Sequence, residues 1–221
     1  LGRLLSFAIM TGEATVVKNA GSHFMLSLLP EWNPFPAVLK GRVRLKSSEA
    51  TNPVAVGDRV RFETDMDDAA DITLTHPALI TEVLDRKNYV IRKSTNLSRQ
   101  SHVIAANIDM AFAVVTLYFP EIKLPFLDRM LVTCEVYGVP VTIVMNKVDL
   151  YGKEAPEAVD NFINIYTKAG YRVVQASAKT GEGIDGLRSI CDGKVCLFSG
   201  ESGVGKSSLI KALDPSLDPK T

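Results

Sequence analysis

The chain has 221 residues, and its 25 Lys and Arg balance its 25 Asp and Glu, so the formal net charge is zero. With 46% hydrophobic and 23% charged residues, the composition excludes a disordered, collagen-like or uniformly basic chain. Three cysteines are too few for a disulfide framework, which indicates a reducing, cytoplasmic compartment. Because no apolar run approaches the roughly 20 residues that span a bilayer, we expect no membrane contact.

The first 95 residues are predicted to be rich in β-structure. Turn-forming pairs such as Asn52-Pro53 and His76-Pro77 separate short segments of strand-like composition. The predicted strands are 14–18, 23–29, 36–46, 56–64, 71–75 and 78–84. Short strands packed into about 90 residues predict a small barrel, of which the OB-fold is one kind.

From residue 104 the pattern changes to strands that alternate with helices. The predicted strands are 108–117, 141–145, 171–175 and 195–199, and the predicted helices are 126–137, 156–169, 183–191 and one from 206. This alternation predicts βαβ units and a parallel sheet. We therefore predict a barrel domain over 1–95, a linker over 96–103 and an α/β domain over 104–221.

A phosphate-binding loop is predicted at 200–207, where GESGVGKS lies between a predicted strand and a predicted helix. Glycines let backbone N–H groups surround phosphates, and the helix N-terminus adds a partial positive charge. Lys206 is expected to reach the β- and γ-phosphates, and the Ser207 hydroxyl to ligate Mg²⁺. The expected phosphate-binding residues are Gly200, Glu201, Ser202, Gly203, Val204, Gly205, Lys206, Ser207 and Ser208.

Two further motifs follow predicted strands, at the edge where parallel sheets bind ligands. They are NKVD, with Asn146, Lys147 and Asp149, and SAK, with Ser177, Ala178 and Lys179. The Asp149 carboxylate can accept hydrogen bonds from N1–H and N2–H₂ of guanine, a donor pair that adenine lacks. We expect Asn146 to brace the loop, Lys147 and Lys179 to lie over the base, and the Ala178 N–H to donate to guanine O6.

NKxD, SAK and GxxxxGKS are the guanine and phosphate motifs of the Ras-like GTPase superfamily. Their order is unusual, because Asn146 and Ser177 precede Gly200, and this order resembles a circular permutation. The front half adds VGDRV at 56–60, DRKN at 85–88 and IAANID at 104–109. In combination, these features resemble the ribosome small-subunit-dependent GTPase A family.

The resemblance implies an OB-fold barrel followed by a circularly permuted P-loop GTPase domain, which is C-terminally incomplete here. It implies GTP or GDP and Mg²⁺ as ligands, and Zn²⁺ in a C-terminal domain absent from this chain. The implied partners of the monomer are the small ribosomal subunit and its rRNA, whose late maturation the GTPase serves and which stimulates GTP hydrolysis. Because the switch residues are expected beyond Thr221, no general base is assigned.

A basic stripe is the predicted RNA-contact surface. Lys40, Arg42, Arg44 and Lys46 alternate along a predicted strand and would share one face, and Arg86 and Lys87 follow later. Such a stripe suits contacts to RNA phosphates, although charges can equally protect an edge strand.

Two other functions stay open at this level. One is a permuted GTPase of the large ribosomal subunit, which the absence of any cysteine before Cys134 disfavours, since some of those relatives carry an N-terminal zinc finger. The other is a nucleotide-gated RNA-binding module with little hydrolysis. NKVD and SAK disfavour an ATP-dependent kinase or transporter.

Overall fold

The computed structural model describes residues 9–44, 53–93 and 101–217. The chain divides into two compact units, the first ending at Asn107 and the second beginning at Ile108. The first unit has a core of its own, and the second has two buried clusters of apolar side chains. The division lies later in the chain than the predicted end of the barrel domain at residue 95.

A closed five-stranded barrel forms most of the first unit. Its strands are β1 (Met10–Ala20), β2 (His23–Ser27), β3 (Phe35–Arg44), β4 (Arg59–Thr64) and β5 (Ala78–Val83). They pair in the order β1-β2-β3-β5-β4, with β3 and β5 parallel and the other neighbours antiparallel. Closure removes the exposed edges of the sheet, and alternate residues such as Val60 and Phe62 are buried inside. The predicted OB-like barrel is thus confirmed.

The predicted strand at 71–75 is wrong. The Asp68 side chain caps a 3₁₀ turn at Ala69–Asp71, which directs the backbone away from a strand conformation. Ile72 is buried in the barrel core, whereas Leu74 is 74% exposed. The alternating apolar pattern therefore reflects one core contact and one exposed loop residue.

Two more strands follow the barrel, β6 (Tyr89–Lys93) and β7 (Ser101–Ala106), and they form an antiparallel pair. This pair overlaps the predicted linker over 96–103, so the linker prediction is wrong for the strand residues 101–103, while 94–100 lie outside the described residues. Gly57 joins the pair to the barrel at very close range, since a Cβ there would lie 2.0 Å from the carbonyl oxygen of Ala106. With φ at +90°, this position requires glycine.

A four-stranded parallel sheet forms the centre of the second unit. Its strands are β8 (Met110–Val115), β9 (Val141–Met145), β10 (Arg172–Gln175) and β11 (Cys196–Ser199), in the order β10-β9-β8-β11. All four predicted strands are confirmed, with β8 shorter than predicted. Because the strands are parallel, the loops that follow them all lie at one edge of the sheet.

Five helices accompany this sheet within the described residues: α1 (Leu124–Val136), α2 (Val148–Tyr151), α3 (Pro156–Lys168), α4 (Ile184–Cys191) and α5 (Lys206–Leu213). α3 begins at Pro156, whose fixed φ suits a first helical position. The one-turn helix α2 was not predicted. Across the described ranges, no helix has both the length and the apolar character needed to cross a membrane.

Candidate functional site

The three predicted nucleotide motifs lie at the same edge of the parallel sheet. NKVD follows β9, SAK follows β10 by one residue, and the phosphate loop follows β11. The loop after β8, residues 116–123, lies beside them. The site is therefore assembled from four loops at the carboxyl ends of four strands, the usual position of ligand sites in such sheets.

The phosphate loop connects β11 to α5 and holds its lysine close. Lys206 Nζ donates to the carbonyl oxygens of Gly200 at 2.9 Å and Glu201 at 2.7 Å. Gly205 precedes the helix with φ at 93°. A Cβ at Gly205 would lie 2.4 Å from the Asn146 side-chain nitrogen, so packing against NKVD also requires glycine. Ser207 is partly exposed and Ser202 and Ser208 are exposed.

Asn146 connects the three motifs to one another. Its side chain is buried, and its Nδ2 donates to the carbonyl oxygen of Val204 in the phosphate loop at 2.8 Å. Its Oδ1 accepts from the backbone N–H of Ala178 in SAK at a longer 3.3 Å. The bracing role expected for Asn146 is thus present. The Ala178 N–H, which was expected to donate to guanine O6, donates to Asn146 Oδ1 in this structure.

Lys147 adds a second connection between loops. Its backbone is left-handed, with φ at 63°, and its Nζ donates to the carbonyl oxygens of Phe119 and Gly203, each at 2.7 Å. Lys147 therefore bridges the loop after β8 to the phosphate loop. Its aliphatic stem remains available to lie along a flat apolar surface.

Asp149 is exposed and held by a hydrogen bond from its neighbour in SAK. The buried Ser177 Oγ donates to Asp149 Oδ1 at 2.7 Å, and the backbone N–H of Thr180 donates to the same Ser177 Oγ at 3.1 Å. One carboxylate oxygen is thus fixed by the protein, which orients the side chain. Lys179 is exposed beside this pair.

Residues that the sequence analysis did not single out complete the site. Lys123, at the start of α1, forms a 2.9 Å ion pair with Glu201 of the phosphate loop, and the Glu201 side chain is only 22% exposed. The pair offsets a negative charge in a loop that would bind anions. Tyr151 donates from its hydroxyl to the carbonyl oxygen of Asn146. In the sequence, the position of Tyr151 two residues after Asp149 was the signal that could have indicated its part in the site.

The structure corrects the expectation that Arg86 is free to contact RNA. Its Nε and Nη2 each lie 2.7 Å from one oxygen of Asp58, whose side chain is 0% exposed. The hydrogen bond with Asp58 raises the pKa of Arg86 above its ordinary value. Asp58 also accepts from the backbone N–H of Ala55 at 2.8 Å. Arg86 therefore neutralises a buried carboxylate.

The predicted basic stripe is also less regular than expected. Gly41 has φ at 54°, and the β3–β5 register shifts between Leu39 and Arg44, so strict alternation along the strand is broken. Lys40 forms an ion pair with Glu63 on β4. The side chains of Arg42 and Arg44, and all of Lys46, lie outside the described residues. Lys87 is exposed.

Within residues 9–44, 53–93 and 101–217, no group of three or more His, Cys, Asp or Glu side chains is placed to hold a metal ion. The zinc implied by the resemblance thus has no ligand set there. A hydroxyl oxygen such as that of Ser207 suits Mg²⁺, which also takes phosphate oxygens and water as ligands.

In this parallel sheet the guanine-type motifs come earlier in the chain than the phosphate loop. This order of motifs defines the class of circularly permuted GTPase domains. The family model described as RsgA GTPase matches residues 83–221. The chain belongs to the RsgA GTPase family.

Its curated relatives are named small ribosomal subunit biogenesis GTPase RsgA. The protein from Bacteroides fragilis is 46% identical over 209 residues, which cover 95% of this chain and 64% of that protein. The proteins from Porphyromonas gingivalis and Flavobacterium johnsoniae are 42% and 41% identical, with 95% and 96% of this chain covered and 64% and 63% of theirs. The chain therefore spans slightly less than two thirds of the length of these relatives.

Two crystal structures share the fold. YjeQ from Thermotoga maritima superposes with a TM-score of 0.73 at 31% identity, covering 96% of this chain and 68% of that one. YloQ, described as a circularly permuted GTPase, gives 0.66 at 24% identity, with 97% and 68% covered. The likeness to YloQ concerns the fold alone.

Proposed function

We propose that the full-length protein binds GTP and GDP at this site and hydrolyses GTP during assembly of the small ribosomal subunit. The observation that carries the proposal is the convergence of NKVD, SAK and the phosphate loop on the buried side chain of Asn146. The small ribosomal subunit is proposed as the partner because the relatives are named small ribosomal subunit biogenesis GTPase. Because a function in ribosome assembly implies it, we expect the activity in the cytoplasm.

The guanine base is expected at the exposed carboxylate of Asp149. Ser177 fixes one oxygen of this carboxylate, so the group is oriented before ligand binds, which reduces the entropy lost on binding. Hydrogen bonds to N1–H and N2–H₂ would select guanine over adenine. The stems of Lys147 and Lys179 would flank the base, and the Ala178 N–H would exchange its 3.3 Å contact with Asn146 for guanine O6.

The phosphates are expected at residues 200–208, where loop backbone and the start of α5 present N–H donors. Lys206 would transfer its hydrogen bonds from the Gly200 and Glu201 carbonyl oxygens to phosphate oxygens. The Ser207 hydroxyl would hold Mg²⁺, which when bound offsets phosphate charge. Lys123 would keep Glu201 from repelling the phosphates.

The barrel is the proposed rRNA-binding domain, and the GTPase unit acts as a monomeric switch. Arg86 is committed to Asp58 and Lys40 to Glu63. On the strength of the sequence pattern, we propose Arg42, Arg44, Lys46 and Lys87 as phosphate contacts. Charge reversal in R42E/R44E is expected to weaken binding to the small subunit and leave GDP affinity unchanged. A loss of GDP affinity, or unchanged subunit binding, would contradict this assignment.

The decisive experiment measures GTP turnover by the full-length protein alone, with purified small subunits and with purified large subunits. Stimulation by small subunits only is expected. Lys206→Ala should abolish it, whereas Lys211→Ala, a matched removal of a lysine on the same helix, should not. Stimulation by large subunits would indicate the large-subunit function, and tight GTP binding without stimulation would indicate a binding module.

A further inference from the structure

Tyr151 is a buried tyrosine two residues after the NKVD segment. It ends the one-turn helix α2, and the residue is 2% exposed. Its hydroxyl donates to the carbonyl oxygen of Asn146 at 2.7 Å. That carbonyl lies one residue beyond the end of β9, so the strand ladder does not pair it, and a buried carbonyl needs a donor.

The Tyr151 side chain also packs on the loop that follows β8. Its ring meets that of Tyr118 edge-on, with centroids 5.8 Å apart. Tyr151 thus connects the segment after β9, through its hydroxyl, with the segment after β8, through its ring. Burial raises the pKa of Tyr151 to about 12, so the hydroxyl keeps the proton that it donates at neutral pH.

Tyr151 holds the peptide between Asn146 and Lys147, at which the backbone of the guanine motif changes direction. The next residue, Lys147, has the left-handed backbone from which its ammonium reaches the carbonyl oxygens of Phe119 and Gly203. Asp149 follows two residues later in the same helical turn as Tyr151. A rotation of the Asn146–Lys147 peptide would therefore move both Lys147 and Asp149.

We propose that Tyr151 is a positioning residue for guanine recognition. Its hydroxyl fixes the Asn146–Lys147 peptide, while its ring packs on Tyr118 after β8, and the residue thereby orients the Asp149 carboxylate toward the base. The proposal rests on the proposed function, since it takes the guanine nucleotide to occupy this site. Without the hydroxyl, the base-reading carboxylate is oriented less strictly, although it is still present.

The test compares Tyr151→Phe with wild type in the full-length protein, using the dissociation constants of guanosine diphosphate and inosine diphosphate. Inosine lacks the 2-amino group that Asp149 would bind. The affinity for guanosine diphosphate is expected to fall by about two- to tenfold, the factor that one net hydrogen bond supplies. The affinity for inosine diphosphate should fall less, so the preference for guanine should shrink.

Tyr166→Phe is the matched control. Tyr166 is also a buried tyrosine whose hydroxyl donates a hydrogen bond, to Asp128 Oδ1 at 2.8 Å, but it lies on α3, and its partner lies on α1. Both variants should lose similar thermal stability, because each loses one hydroxyl hydrogen bond, while only Tyr151→Phe should change the preference for guanine. This comparison separates positioning from general loosening of the fold.

Three outcomes would count against the proposal. An unchanged preference in Tyr151→Phe overturns it, as does an equal change in Tyr166→Phe. A wild-type protein that binds both diphosphates equally overturns the proposed guanine site itself. The wild-type ratio therefore tests the proposed function, and the ratio in Tyr151→Phe tests the role of Tyr151.

Discussion

The side-chain nitrogen of Asn146 lies 2.8 Å from the carbonyl oxygen of Val204, and this hydrogen bond joins segments 58 residues apart in the chain. The bond is buried, so neither group has water as a substitute partner. Through it the position of the phosphate loop depends on the segment that would bind the base. Base recognition and phosphate binding are therefore expected to be coupled.

Asn146→Ala is expected to weaken GDP binding and to lower the free energy of unfolding by about 1–3 kcal/mol, since the Val204 carbonyl loses its donor. Asn19→Ala is the matched control, because Asn19 Nδ2 donates to the Val54 carbonyl oxygen at 2.9 Å in the barrel. Denaturant titration and GDP calorimetry measure both effects. GDP affinity that stays at the wild-type value in Asn146→Ala would contradict the coupling.

Asp149→Asn is expected to change base preference from guanine toward xanthine. Asparagine can keep the hydrogen bond from Ser177 through its Oδ1 and present its NH₂ group to the base, where xanthine offers a carbonyl at position 2 and guanine an amine. The measurement is the ratio of dissociation constants for guanosine and xanthosine diphosphates. Asp185→Asn, which removes an exposed carboxylate on α4, is the control and should leave this ratio unchanged. An unchanged ratio in Asp149→Asn would show that Asp149 does not contact the base.

Asp58→Ala is expected to lower the free energy of unfolding of the barrel unit by about 3–5 kcal/mol. The substitution leaves the Arg86 guanidinium, of which 13% is exposed, without its carboxylate partner. Lys40→Ala should cost at most about 1 kcal/mol, because the Lys40 side chain is 53% exposed and its ion pair is screened by solvent. Urea titrations followed by barrel fluorescence compare the two variants, and equal losses would argue against Arg86 as a structural residue.

Alkaline pH is expected to destabilise the second unit. Burial raises the pKa of the Cys134 thiol from 9.0 to about 11 and that of Tyr151 from 10.0 to about 12. The folded chain thus keeps protons that the unfolded chain has released. Their stabilising contribution is complete below about pH 9 and is lost as the pH rises toward 12, at about 1.4 kcal/mol per pH unit and group.

Urea midpoints at closely spaced pH values between 8 and 11 measure this loss. Cys134→Val removes one buried thiol and should make the loss between pH 9 and 10 smaller but not zero, because burial also raises the pKa of Cys196 from 9.0 to about 12. A wild-type midpoint that does not change between pH 9 and 11 would show that neither Cys134 nor Tyr151 is protected by burial.

The parts of the fold that sequence predicts well depend on local patterns. β9 was predicted with its observed bounds because VTIVM is an unbroken apolar run, and α3 was predicted with its observed start because Pro156 marks it. The phosphate loop and NKVD are short contiguous motifs, so their position at strand ends also followed. Contacts between distant segments were not encoded in any such pattern.

Arg86 illustrates what sequence could not provide. As one of several nearby cations it resembled a surface residue, and its partner Asp58 lies 28 residues earlier. The ion pair exists because the barrel buries Asp58, a consequence of tertiary packing. The role of Tyr151 was missed for the same reason, since its ring packs on Tyr118, which follows another strand.

The permuted order of motifs has a consequence for the synthesis of the chain. During translation the Asn146 side chain emerges 58 residues before Val204, which supplies its acceptor. At a synthesis rate of about 5–20 residues per second, the delay between the emergence of Asn146 and that of Val204 is roughly 3–12 s. Nascent chains are thus expected to mature from the base-binding end toward the phosphate end, and nucleotide can act as a late folding aid once both halves have left the exit tunnel.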